Sequence, residues 1–315
     1  MTGSFEKIDY RLRPAKHAER LMLVELVRRM RFEHIDQYRY IGMGSVGFVD
    51  HRVFHRGLGL SDMISIEAAS DESVQERFIR NVPLACIDLK FGHTSKILPK
   101  LDFDKKCVCW LNYDDRLSSS MSADIATIGS RLQSGSFLAV TFACGIPTES
   151  KGASAEMKRL REEFPALVSE GAKQSEFEGK RYADLGRRAL GNSLERSLIE
   201  MDATLPLEDR RVSSQVCYFR YRDGAAMCTV GWVVYKRSEE EVFKDCAFDQ
   251  LSYYRNADND FVIKVPKFTP FEISQLERLV PTGHVPDLPW LKEADRSAFQ
   301  QIYRYLPSFG VFEPV

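Results

Sequence analysis

The sequence predicts an α/β fold: a mostly parallel sheet with helices on both faces, ending in an antiparallel hairpin. Three observations predict it. Short apolar runs alternate with helix-periodic segments from Tyr38 to Phe142, the rhythm of a parallel sheet with crossover helices. Two β-type runs, Gln215 to Tyr221 and Ala225 to Tyr235, are joined by Arg222-Asp223-Gly224, a short Asp-Gly connection of the hairpin kind. Apolar residues make up 44% of the 315, enough for a sizeable core.

The elements follow in order. Pro14 to Arg31 places Ala18, Leu21, Leu23, Val24, Leu26, Val27 and Met30 at helical spacing. Its basic residues (Arg11, Arg13, Lys16, Arg20, Arg28, Arg29, Arg31) read as a solvated face rather than a phosphate-binding one, because no aromatic stacking platform accompanies them. Strands are expected at Tyr38–Ile41, Met63–Ile66, Leu84–Leu89, Lys106–Leu111 and Ser136–Phe142. Helices are expected near Phe48–His55, Ser73–Arg80 and Ser122–Leu132. The runs at 106–111 and 136–142 are almost wholly apolar, as buried central parallel strands are. After Cys144 the alternation stops. Residues 150–211 read as a helical insertion, and 1–149 with 212–237 as the cofactor-binding domain. Residues 238–315 read as a C-terminal extension with a strand at Phe261–Val265 and helices near Pro270–Leu279 and Lys292–Tyr305. That extension and the insertion, with Phe177, Tyr182, Tyr253, Tyr254 and Trp290, are expected to cap the site and select the acceptor, or to bury a homodimer interface.

Charge narrows the function classes. Charged residues are 28% of the chain and the net charge is −1, so no global field favours nucleic acid or an anionic membrane. The seven cysteines form no C-x-x-C pair and sit mostly in apolar runs. They read as buried reduced thiols, which with the polar Met1–Tyr10 and the absence of a span-length apolar run points to a cytoplasmic protein. His51 and His55 have metal-ligand spacing on one helix face, but no third ligand accompanies them.

The sharpest motif is Gly42-Met43-Gly44-Ser45-Val46-Gly47, a G-x-G-x-x-G loop with a strand before it and a helix after it. Glycines there permit a tight turn and close approach of a ligand. Glu67 follows at the end of the next strand, where a carboxylate can accept both ribose hydroxyls of an adenosine. The alternative is a turn glycine cluster with a solvated acid.

These residues resemble the class I S-adenosylmethionine-dependent methyltransferases, a Rossmann-like family, and locally the catechol-type O-methyltransferases. The resemblance covers about residues 38–142 and the 215–235 hairpin. It implies S-adenosyl-L-methionine as cofactor, held by Gly42, Gly44, Ser45, Gly47 and Glu67. It also implies that Gly92-His93-Thr94-Ser95-Lys96-Ile97-Leu98-Pro99 packs on the adenine through His93, Thr94 and Ser95. The methyl group would face Asn112-Tyr113-Asp114-Asp115, with Asp114 and Asp115 as candidate bases and Asn112 positioning the acceptor. The hairpin sets this family apart from nicotinamide oxidoreductases. Three departures matter. Tyr40 stands where the family usually has an acid. Asn112 and Thr141-Phe142 stand where catechol-type enzymes carry magnesium carboxylates, so no metal is expected. Asn112-Tyr113-Asp114-Asp115 lacks the prolines of base-amino methyltransferases. The expected activity is metal-independent methylation of a hydroxyl on a small-molecule acceptor. A non-catalytic adenosyl-cofactor-binding subunit, a nucleic-acid methyltransferase and an NAD(P)-dependent enzyme remain alternatives.

Overall fold

The computed structural model describes residues 13–145, 150–173, 177 and 179–307; Arg11 lies outside them. The strands are β1 (Arg39–Gly42), β2 (Asp62–Glu67), β3 (Ile87–Phe91), β4 (Cys107–Arg116), β5 (Ser136–Ala143), β6 (Arg211–Asp223), β7 (Ala225–Lys236) and β8 (Phe261–Ile263). They form one sheet in the order β3-β2-β1-β4-β5-β7-β6-β8. The first five are mutually parallel; β7 runs antiparallel to both β5 and β6, and β8 is parallel to β6. The expected α/β class and hairpin are both present. The hairpin turns through Gly224 at φ +95°.

Strand alternation explains the two cores. Tyr40, Val108, Trp110, Phe137 and Ala139 point to one face, where they meet helices α1 (Pro14–Arg28) and α2 (Val49–Leu58). Ile41, Cys109, Leu111, Leu138 and Val140 point to the other, under helices α5 (Ser119–Arg131), α6 (Ser150–Glu163) and α7 (Lys180–Met201). Successive side chains face opposite ways, so a strand buried on both faces must be apolar at every position. Six of the seven cysteines are buried and none is paired.

The boundaries differ from expectation for local reasons. Residues 84–86 form a turn closed by Ile87 N donating to Leu84 O, so β3 starts only where it comes into register with Met63. Strand β4 runs on to Arg116 instead of ending at Leu111. Helix α2 continues to Leu58 and ends on Gly59, whose left-handed φ of +75° suits its αL C-cap. Residues 238–307 add the edge strand β8 and helices α9 (Pro270–Glu277) and α10 (Glu293–Ile302). Helix α9 carries a capping box of Thr269 and Glu272. No helix among the described residues is long and apolar enough to cross a membrane.

Helix α7 approaches the sheet closely through glycine. A Cβ on Gly186 would lie 2.2 Å from Phe142 Cζ, whereas one on Gly191 would meet Trp232 Cζ2 at an ordinary 3.7 Å. Gly186→Ala is therefore expected to destabilise the fold by about 1–3 kcal/mol through overpacking, while Gly191→Ala stabilises it by up to about 1 kcal/mol through helix propensity. Urea midpoints of the two variants check this; equal midpoints would remove the packing explanation.

Candidate functional site

The strand order reverses direction beside β1, between β1 and β4. Ligands of open α/β sheets bind at the carboxyl ends of strands at such a point. Here those ends carry the glycine loop, Glu67 and Asn112.

The loop is held from below. Gly44 N donates to Glu67 Oε1 at 2.6 Å and to Ser65 Oγ at 3.1 Å; Ser65 Oγ in turn donates to Glu67 Oε1 at 2.7 Å. Ser45 and Phe48 sit in left-handed backbone at φ +50° and +47°, an uncommon state for non-glycine residues that clusters at ligand sites. Ser45 Oγ is buried with no partner among the described residues. The glycines answer mainly to the protein itself. A Cβ on Gly42 would lie 2.6 Å from the Tyr40 hydroxyl, and one on Gly44 would lie 2.7 Å from Phe48 Cδ1 and 2.8 Å from Ser65 Oγ. Of the two roles expected of these glycines, a tight turn and close approach of a ligand, these contacts bear on the first. Gly47 is exposed, and its Cβ would touch only Val49.

Glu67 is 7% exposed. Burial pushes its carboxyl up to about 7, against hydrogen bonds from Ser65, Gly44 and Ser45 that pull it down. Its main-chain carbonyl accepts from Gly92 N at 3.0 Å, which ties the second loop to the first. In that second loop His93 and Ser95 are exposed. Thr94 is drawn inward: its hydroxyl donates to the buried Asp124, which also accepts from Tyr113 OH at 2.7 Å. Thr94 thus braces the loop on α5.

Tyr40, the departure from the family acid, is a core residue. It is fully buried and packs edge-on to His51 at 4.9 Å and against Phe54 at 4.9 Å. The histidine pair is structural as well. His51 Nε2 donates to Ile64 O at 3.2 Å, and His55 Nδ1 to Leu60 O at 2.7 Å. Burial pushes His51 down to about 4, which keeps it neutral. Among the described residues no group of three His, Cys, Asp or Glu is placed to hold a metal ion.

The basic face of α1 is the largest correction. Lys16 and Arg20 are 1% and 2% exposed, not solvated. Lys16 Nζ donates to Asn112 Oδ1 at 2.7 Å and to Tyr221 OH at 3.1 Å, pairs with Glu19 at 2.7 Å, and lies 4.3 Å from the Trp110 ring centroid. Asn112 Nδ2 donates to Asp50 Oδ2 at 3.2 Å, and Arg20 Nε donates to Asp50 Oδ1 at 2.5 Å. Burial lowers Lys16 against the pull of Glu19 and Asp50. Burial works to raise Asp50, but Arg20 and Lys16 outweigh it and hold the carboxyl below its usual range. Buried charge persists when it is paired in this way.

Asp114 and Asp115 lie on the exposed end of β4. The register of β4 against β5 is irregular between Asn112 and Arg116, the segment that carries both acids. Ser118 is the N-cap residue of α5, and Ser119 N donates to Glu163 Oε2 at 2.6 Å. Thr141 is occupied, accepting from Trp110 Nε1 at 2.9 Å and sharing a bond with Thr229 at 2.6 Å. Of the aromatics expected to line an acceptor pocket, Phe177, Tyr182 and Tyr253 are core residues and Trp290 is 62% exposed. Sequence reasoning missed Lys16, Arg20, Asp50, Ser65 and Asp124. The signal for Asp124 was present: it lies on the same helical face as Met121, Ile125 and Ile128.

The sheet order, the reversed β7 and the glycine loop with its carboxylate define a class I S-adenosylmethionine-dependent methyltransferase fold. A family model described as “Putative O-methyltransferase” matches residues 8–314, and the chain belongs to that family. Solved structures are similar at low identity. One is a Klebsiella pneumoniae protein described as a “putative O-methyltransferase” (14% identity, 72% of this chain and 81% of that one, TM-score 0.36). Another is Trm1 from Pyrococcus horikoshii, in complex with S-adenosyl-L-methionine (13%, 73% and 58%, TM-score 0.44). A third is the O-methyltransferase TomG from Streptomyces achromogenes, in complex with SAM (14%, 72% and 91%, TM-score 0.37). No curated protein matches the chain.

Glu67 makes stability depend on pH. The folded state keeps its proton up to about pH 7, against an ordinary value of 4.5. Its contribution is full below about pH 4.5, declines as pH rises through 7, and is lost above that. The total is at most about 3 kcal/mol. Glu67→Gln is expected to flatten this part of the stability profile. An unchanged slope between pH 4.5 and 7 in chemical denaturation would contradict the buried-acid assignment.

Proposed function

We propose that this protein transfers a methyl group from S-adenosyl-L-methionine to a hydroxyl of a small-molecule acceptor, without a metal ion. The observation that carries the reading is the Glu67 junction, which joins the glycine loop to the Gly92 loop at the strand reversal. The residues fit the cofactor. In this reading Glu67 would take the ribose, the loop and Ser45 Oγ, which has no partner among the described residues, the amino-acid part, and the exposed His93 and Ser95 the adenine. When bound, the cofactor supplies a methyl group already activated on a sulfonium. What remains for the chain is alignment and proton handling.

Asn112 is the acceptor-positioning residue in this reading. Lys16 takes its carbonyl oxygen and Asp50 one amide hydrogen. The amide is therefore locked in one orientation, with its second N–H and second lone pair left for a ligand. Asp114, two residues further along β4, is the carboxylate proposed to accept the hydroxyl proton. Metal independence rests on the donor set: Asn112 and Thr141, where catechol-type carboxylates would stand, are neutral and already bonded within the protein.

Calorimetric titration with S-adenosylhomocysteine, S-adenosylmethionine and NAD in parallel tests the cofactor. Both adenosyl ligands are expected to bind and NAD is not; at ~100 times its Kd, S-adenosylhomocysteine should add about 2.7 kcal/mol of stability. Binding of NAD alone would overturn the reading. Glu67→Ala should weaken the adenosyl ligands by roughly 1.5–3 kcal/mol. Chelator treatment should leave their binding and methyl transfer unchanged, and recovery of transfer only with magnesium would refute the metal-free mechanism.

A further inference from the structure

We propose a second ligand site on the opposite edge of the sheet, a cleft that binds a small molecule bearing two or more phosphate groups. The parallel strands begin at this edge: Ser136 opens β5 beside Val234, and Arg211 opens β6 beside Lys236. Between α7 and the start of β6 lies a cleft of about 530 Å³, within the usual range for a small-ligand pocket. Five arginines and two carboxylates line it.

Most of that positive charge is not spent within the protein. Arg211 is consumed, since Asp202 holds it at 2.7 Å and it also donates to Leu132 O at 2.6 Å. Among the described residues Arg210 donates to the carbonyls of Leu205 and Ala203 and to no carboxylate, which orients it without neutralising it. The side chains of Arg188 and Arg237 are exposed and have no acceptor among the described residues. The carboxylate nearest Arg187 is Asp184 at 4.0 Å, already held by Lys180 at 2.8 Å.

Two further features, Trp232 of β7 and Gly191 of α7, meet in the same cleft. Trp232 is 4% exposed, yet its indole N–H has no acceptor among the described residues, and the residue lines the cleft. An indole N–H is a donor only, and here it opens onto the cleft. Above it stands Gly191, where a Cβ would lie 4.0 Å from Nε1. Packing does not demand this glycine, and a helix-interior glycine is destabilising. Its effect is to leave the indole edge uncovered. Arg188, Arg210, Arg237 and the indole offer donors only, so the ligand must be rich in acceptors. Several guanidinium groups converging on one concavity match several phosphates better than one carboxylate. Ile199 and Leu207, 64% and 63% exposed, add apolar contact for the rest of the ligand. Glu195 and Asp202 in the wall interrupt any continuous basic track of the kind a nucleic-acid backbone follows.

The full chain is titrated calorimetrically with tripolyphosphate and with ATP at low salt, S-adenosylhomocysteine being present in excess. Both probes are expected to bind, ATP more tightly through its apolar part. Arg188→Ala and Arg237→Ala should each weaken binding by roughly tenfold or more. Gly191→Leu should abolish binding without lowering Tm, and S-adenosylhomocysteine affinity should stay unchanged in all three variants. Failure of both probes to bind the unmodified protein, or equal affinity in the arginine variants, would overturn the site. Binding of a single-stranded RNA that depends on the arginines but survives Gly191→Leu would overturn it in favour of an open nucleic-acid surface.

Discussion

The ligand edge of this fold depends on one residue making two kinds of bond. The Glu67 side chain receives Gly44 N from the loop after β1, and its main-chain carbonyl receives Gly92 N from the loop after β3. Both loops are thereby set relative to the end of β2. Ser65, two residues earlier on the same strand face, bonds the same carboxylate oxygen and the same glycine N–H. The carboxylate is buried to do this, and its raised protonation range follows from that burial. The acid is not simply a ligand group waiting at a strand end. It is part of the scaffold that gives the glycine loop its left-handed turns, and any ligand it serves meets a group already oriented by three donors.

How much of this was legible in the sequence divides along a physical line. Patterns that repeat along the chain were readable. Almost wholly apolar runs at 106–111 and 136–142 identified the central strands, and Asp223-Gly224 marked the hairpin. Glycines flanked by strand and helix located the loop. Partnerships between residues distant in sequence were not readable. Lys16 and Asn112 are 96 residues apart, and Glu19 and Thr229 are 210 apart. A lysine and an arginine at i and i+4 look the same whether the helix face meets water or a complementary set of acids. Periodicity therefore placed α1 correctly and assigned the exposure of its polar face wrongly. The strand-end acids show the same limit in reverse. Asp114 and Asp115 look like a strand-end pair in sequence, but the pattern does not show that they stand exposed where the register with β5 becomes irregular.

The reversed strand gives α1 its place. Because β7 runs against β5, Thr229 stands opposite Thr141 in register, and the two hydroxyls bond. Thr141 takes the indole N–H of Trp110 from β4, and Thr229 donates to Glu19 of α1. Glu19 pairs with Lys16, whose ammonium returns over the Trp110 ring and donates to Asn112. The chain of contacts closes on itself across three strands and one helix. Every charged member is nearly excluded from water, so each needs its partner, and removing one leaves the next uncompensated. A closed buried network of this kind rigidifies what it encloses. The side chain it leaves half-exposed at the carboxyl edge is Asn112, held from one side by Lys16 and from the other by the Asp50–Arg20 pair at the start of α2. The helix after the glycine loop, the end of β4 and the N-terminal helix are thus tied together by hydrogen bonds and ion pairs, the kind of support an alignment-limited reaction such as methyl transfer requires.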